Sequence, residues 1–241
     1  VEARVGMREA VARSAVVSSG ARTAPERVAE ALRDELLDGA HPVGTRFREE
    51  ELAERFDVGR HTIRAGLRLL VDRGLVVHER HRGAVVAPLS KQRIDEVFDY
   101  RKLLELGALR MALAAGADLR PVLAEVERLE ALADRSPSPS WRELTRAHSA
   151  IHRAIVAAAG NAHVLESYQR CEDEIRLLLT FVRPDFDARH FAVVHRELVE
   201  KLEVGGEVAA EALTEDIDQS GRAALLAALR RAEESARLLG H

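Results

Sequence analysis

The sequence predicts a mainly α-helical chain in two units, the first closed by a small β-hairpin and the second an all-α antiparallel bundle of about six helices. Three observations lead there. Two short helices meet at a tight turn in the stretch Glu49 to Leu70, a basic loop between two short apolar runs follows, and beyond Pro88 apolar residues recur at helical spacing without a strand signal.

Residues 1–21 carry Arg4, Arg8 and Arg13 without an apolar run behind them, so they read as a flexible arm and not as a signal segment. Pro25 suits a first helical turn, Val28, Leu32 and Leu36 line one side of the helix it opens, and Gly39 ends it. In the second of the paired helices Ile63, Leu67 and Leu70 recur at i, i+4 and i+7, which leaves Arg60, His61, Arg64 and Arg68 pointing away from the packing face. Gly74 stops that helix. Leu75 to His78 and Ala84 to Ala87 are predicted strands, joined by the basic stretch Glu79 to Gly83. A helix pair followed by such a hairpin is a winged helix-turn-helix, predicted over residues 22–88.

From residue 89 to 241 the chain breaks at Ala117-Asp118, at the Ser136 to Ser140 Ser/Pro run, at Gly160-Asn161, at Arg183-Pro184-Asp185 and at Gly205-Gly206. Six helices are expected between these points, at about 91–116, 121–134, 141–159, 162–181, 187–204 and 208–238. The Ser/Pro run is too short for an interdomain linker and is expected to be a loop between helices.

A chain of 241 residues is long enough for two cores. Its net charge of −4 argues against nucleic-acid binding along its whole length, and the basic character is local: six arginines fall between Val58 and Arg82 against Asp72 and Glu79. No run of eighteen apolar residues occurs, and a single cysteine, Cys171, can form no internal disulfide, so a cytoplasmic protein away from the membrane is expected.

Histidines are the chemical signal of the second unit. His148 and His152 lie one turn apart on one face, beside Leu144, Ile151 and Ile155, a spacing that allows both to bind one metal ion. His195 sits next to an apolar stripe of Val194, Leu198 and Leu202, and Asp216 falls in a mostly apolar helix with Asp218 as its close rival. His148-Ser149-Ala150-Ile151-His152 lacks the glutamate of a His-Glu-x-x-His hydrolase, which speaks against an enzyme.

The first unit resembles the GntR family of bacterial transcription regulators. The resemblance is carried by Pro42-Val43-Gly44, Glu49-Glu50-Glu51-Leu52-Ala53, Val58-Gly59-Arg60-x-Thr62-x-Arg64, Leu67-x-x-Leu70, Gly74-Leu75-Val76 and Arg82-Gly83-x-x-Val86. It implies DNA contacts from Arg60, Thr62 and Arg64 and from the wing tip at Arg82 and Gly83, to which the basic face adds His61 and Arg68. Gly59 stands where the family usually has a hydroxyl residue capping the helix, so one phosphate contact is not expected here.

The second unit resembles the FadR-type ligand domain called FCD, through Arg101-x-x-Leu104-Glu105, His152-x-x-Ile155 before Gly160-Asn161, and His195-Arg196-x-Leu198. The resemblance implies a divalent metal, Zn, Ni, Mn or Fe, with His152 and His195 as matching ligands. His148 stands in place of an aspartate and Asp216 nearest the place of a histidine, which keeps three imidazoles and one carboxylate around the ion. It further implies a homodimer on a palindromic double-stranded DNA operator and a small carboxylic acid as effector, received by Arg101 or, as second choice, Arg176. A metal-free domain of the acyl-coenzyme A type, and a metal-dependent enzyme with a DNA-binding appendage, are the alternatives.

Overall fold

A computed structural model of the chain describes residues 22–185 and 188–238, so the arm expected at 1–21 lies outside the described residues. Helix α1 (Ala24–Leu37) opens with a capping box: the Thr23 amide donates to Glu26 Oε2 at 2.7 Å and the Thr23 hydroxyl accepts from the Glu26 amide. Helices α2 (Glu49–Phe56) and α3 (Arg60–Asp72) follow, separated by Asp57 in the left-handed region with φ 51°. Ile63, Leu67 and Leu70 of α3 are buried against Val28, Leu32 and Leu36 of α1, the packing that the apolar spacing predicts. Gly66 makes the close approach possible. A Cβ there would stand 3.0 Å from Val28 Cγ1 and 3.1 Å from the Pro25 carbonyl oxygen.

Strands β1 (Val76–Glu79) and β2 (Gly83–Val86) pair antiparallel with Val76 opposite Val86 and Glu79 opposite Gly83. The predicted strands are therefore displaced by one residue towards the tip at each end. Positive φ at His81 (67°) and Gly83 (76°) closes the loop tightly enough for pairing to continue to Glu79.

The second unit contains α4 (Lys91–Ala114), α5 (Arg120–Ala133), α6 (Trp141–Ala157), α7 (Ala162–Leu179), a 3₁₀ turn (Thr180–Asp185), α8 (Ala188–Val204) and α9 (Gly206–Glu215). A π-helical segment (Asp216–Arg222) then leads into α10 (Ala223–Leu238). One expectation needs correction. The last helix, expected to run unbroken from 208 to 238, is interrupted by the π segment, which a reading of helical periodicity does not reveal. Asn161 is the cap of the helix that follows: Gly160 at φ 64° ends α6, and the Asn161 side-chain oxygen accepts from the amides of His163 and Val164 at 3.1 and 3.3 Å.

Two cores result. One lies beneath α1, α3 and the hairpin, and the other fills the helical unit. Leu177 of α7 belongs to the first core, so α7 docks the two units together. Around it, Asp173 takes Arg33 through both carboxylate oxygens at 2.6 Å, and Glu174 pairs with Arg93 at 2.6 Å while Arg93 also donates to the Gly74 carbonyl. Gly74 (φ 69°) leaves room for this contact, because a Cβ there would meet Glu174 Oε2 at 2.5 Å.

Candidate functional site: a basic helix face and a buried histidine cluster

Arg60, His61, Arg64 and Arg68 are exposed on α3, with Thr62 half-buried beside them. In this conformation Arg60 pairs with Glu50 at 3.0 Å and Arg64 with Glu49 at 2.7 Å, both acids of the first turn of α2. Exposed pairs of this kind are weak and exchange readily for phosphate contacts. Gly59 caps α3 without a side-chain hydrogen bond, as its identity requires. At the wing tip the exposed Arg82 pairs with Glu79 at 2.6 Å, next to Gly83.

In the helical unit His148 and His152 of α6, His195 of α8 and Asp216 at the start of the π segment come together in the interior, none more than 8 % exposed. One candidate ligand atom from each of the three histidines lies within 4.8 Å of those of the others. His152 Nε2 and His195 Nε2 face each other at 3.4 Å, and Asp216 Oδ2 and Oδ1 stand 3.6 and 3.9 Å from these two nitrogens.

The hydrogen bonds behind the rings fix what these nitrogens can do. His195 Nδ1 lies 2.7 Å from the Phe191 carbonyl oxygen, which only accepts, so Nδ1 carries the proton and Nε2 presents a lone pair. His152 Nδ1 lies 2.9 Å from Glu105 Oε2, with the same consequence. Burial, followed by the neighbouring His195, pushes the His148 pKa well below its ordinary value, and burial lowers His195 to about 4. His148 Nδ1 is buried without a hydrogen-bond partner. Neutral imidazoles with facing lone pairs, an unsatisfied ring nitrogen and a carboxylate form a donor set that fits a divalent ion of intermediate softness.

Arg101 of α4 is 2 % exposed, donates from Nε to Glu105 Oε1 at 2.6 Å, and leaves Nη2 without a hydrogen bond, 3.8 Å from Asp216 Oδ2. Arg101, His148, His195, Asp216 and Ser220 line a small pocket of about 30 Å³ whose apolar walls include Leu179, Phe191 and Val194. Of the two arginines expected to meet an effector, the structure brings only Arg101 into this pocket. Arg176 is buried on α7 among Arg33, Asp173 and Glu172, outside the residues that line this pocket, and burial followed by Arg33 lowers its pKa. The choice between the two aspartates is also a matter of geometry: Asp218 is engaged by Lys102 at 2.7 Å and Arg222 at 3.5 Å, away from the imidazoles. Glu105, fully buried between Arg101 and His152, is the residue whose place sequence reasoning missed. Its one visible signal was the spacing of one turn from Arg101.

Comparison with known proteins gives these sites their setting. Residues 24–86 match the family described as bacterial regulatory proteins, gntR family, and residues 96–220 match the FCD domain. A relative from Paenarthrobacter nicotinovorans, named "Probable D-xylose utilization operon transcriptional repressor", is 30% identical over 197 residues, covering 79% of this chain and 85% of that one. The "HTH-type transcriptional repressor GlaR" of Escherichia coli (strain K12) is 30% identical over 145 residues, 59% of this chain and 66% of its own. Among solved structures, a GntR transcriptional regulator from Rhodococcus sp. RHA1 superposes with a TM-score of 0.69 at 26% identity, over 84% of this chain and 97% of that one. All three are named as transcriptional repressors or regulators. The chain belongs to the GntR family of transcription regulators and carries an FCD domain as its second unit.

Proposed function

We propose that this regulator binds a palindromic DNA operator as a homodimer and that a small carboxylic acid, received at a divalent ion in the helical unit, controls that binding. His148, His152, His195 and Asp216 would hold the ion, which supplies positive charge for an anionic ligand. The observation that carries the reading is the pair of lone-pair-bearing Nε2 atoms at 3.4 Å beside a buried carboxylate, with the Nη2 of Arg101, a residue lining the adjoining pocket, left without a hydrogen bond. Arg101 would pair with the effector's carboxylate there. Arg60, His61, Thr62, Arg64 and Arg68 would meet the major groove and its phosphates, and Arg82 and Gly83 the adjacent minor groove.

A homodimer is supported by the outer face of α4. Tyr100, Leu103 and Met111 are 43, 74 and 44 % exposed, and with the exposed Gly107 they form one apolar stripe. Arg101 and Glu105 occupy the opposite, buried side of the same helix, so a change at the pocket would reach the contact between copies through one rigid element. By linkage, the effector must favour one arrangement of the two recognition helices over the other. Among the described residues no helix is long and apolar enough to cross a membrane, and action in the cytoplasm is part of the proposal.

A thermal-shift screen of small organic acids, with and without chelator, tests the reading. A true effector raises the melting temperature with concentration by mass action, and the chelator removes that rise. Stabilisation that persists unchanged in chelator would place the acid elsewhere.

A further inference from the structure

We infer that Glu105 is a positioning residue for the histidine cluster: its carboxylate joins Arg101 to His152 and holds the His152 ring in the tautomer that turns a bare Nε2 towards His195 and Asp216. The inference rests on reading the cluster as an ion site. Each carboxylate oxygen serves one donor, Oε1 taking Arg101 Nε at 2.6 Å and Oε2 taking His152 Nδ1 at 2.9 Å. A carboxylate has no proton to give, so the His152 proton must lie on Nδ1. Glu105 and His152 are 0 % exposed and Arg101 2 %, so bulk solvent is not there to take over either contact. Arg101 compensates the buried negative charge that would otherwise face only a neutral ring.

The arrangement also makes Arg101 a shared group. Its Nε is committed to Glu105 while Nη2 has no hydrogen-bond partner. An anion drawn to Nη2 would compete for the guanidinium that anchors Glu105, and therefore act on His152 through one intervening side chain. Ion affinity and anion affinity are then linked, and by equal factors in both directions.

Glu105→Gln separates the positioning role from mere filling of space. The amide matches the shape of the carboxylate but offers one acceptor and one donor group, so it cannot accept from both Arg101 and His152. Arg101 has no acceptor and keeps the oxygen, leaving the NH₂ group to face His152 Nδ1. His152 then moves its proton to Nε2, the atom needed for ligation. Imidazole ¹⁵N–¹H correlation spectra of the metal-free full-length chain read the tautomer directly, and competition with a chromophoric chelator gives the Zn²⁺ affinity. The expected result is an Nδ1 proton on His152 in the wild type, an Nε2 proton in the Gln variant, and Zn²⁺ binding weakened about 10–100-fold with the far-ultraviolet circular dichroism unchanged. A Zn²⁺-binding wild type matched in affinity and tautomer by its Gln variant overturns the role of Glu105. An Nε2 proton on His152 in the metal-free wild type overturns it as well, even if the Gln variant does not fold. A wild type that takes up no Zn²⁺ overturns instead the ion reading on which the inference stands.

Discussion

Asp173 on α7 grips Arg33 on α1 through both carboxylate oxygens, each 2.6 Å from a guanidinium nitrogen, and so fastens the helical unit to the helix that backs the DNA-reading helix. The pair is largely buried, at 10 and 19 % side-chain exposure, and Arg73 of the DNA-binding unit adds a longer contact at 3.6 Å. Asp173→Asn should cost about 1.5–3 kcal/mol of stability, the range for hydrogen bonds to charged groups. Urea denaturation followed by circular dichroism measures the loss. The substitution should also loosen the coupling between the units, seen as a broadened or two-step transition. A single transition at the wild-type midpoint would show that Leu177 and the hydrogen bond from Arg93 to the Gly74 carbonyl dock the units without it.

Arg64→Ala should weaken specific DNA binding by about 1–3 kcal/mol if the side chain reads a base edge. Because Arg64 is paired with Glu49 at 2.7 Å, Glu49→Gln is expected to tighten binding by roughly 0.2–1 kcal/mol, the cost of breaking an exposed ion pair before the DNA contact forms. Fluorescence anisotropy with a duplex selected from a random pool would read both, and a salt titration should show steep loss of affinity. Equal affinity of the Arg64→Ala variant and the wild type would remove Arg64 from the interface.

Asp216 and Asp218 make opposite predictions although they stand two residues apart. Asp216→Asn should lower the metal content of the purified, Zn²⁺-reloaded protein and its melting temperature together, since ligands in a folded site couple metal affinity to folding. Asp218→Asn should spare the metal and lose only the contacts to Lys102 and Arg222. Elemental analysis paired with melting curves before and after chelation distinguishes them, and metal loss in the Asp218 variant alone would reverse the assignment.

Acid should expose the cap of the helix that carries two of the histidines. Glu143, in the first turn of α6, is held down to about 2 by its hydrogen bond to Arg135 and then by Ser140, against an ordinary value of 4.5. Its depressed pKa gives a contribution to stability that is complete above pH 4.5 and is lost as the pH falls towards about 2. The difference in urea midpoint between wild type and Glu143→Gln should therefore shrink across that window. A difference independent of pH would mean that the cap acts through shape alone.

Gly221 in the π segment leaves the space taken by the Phe98 ring: a Cβ there would lie 2.6 Å from Phe98 Cε1. Phe98 is fully buried and has little freedom to retreat. Gly221→Ala should destabilise the protein by about 1–3 kcal/mol through overpacking, despite the better helix propensity of alanine. Thermal or urea melts test this, and a stabilised variant would show that the ring yields.

The local rules written into the chain determined the helix-turn-helix, the wing, the Pro25 start of α1, and the placing of His148 and His152 on one helix face, because each depends on spacing within a few turns. Arginines at one-turn intervals and an apolar stripe at i, i+4 and i+7 are legible without a partner in view. What only the tertiary structure decided are relations between distant segments: Glu105 placed between Arg101 and His152, Asp216 and not Asp218 turned to the imidazoles, Arg176 buried beside Arg33 and outside the lining of the pocket, and Leu177 lent to the other core. Periodicity assigns a residue to the inside of a helix but not to a neighbour, and a single π turn rotates everything beyond it. In the interior an uncompensated charge is costly, so which charged groups meet there is settled by packing the whole chain at once.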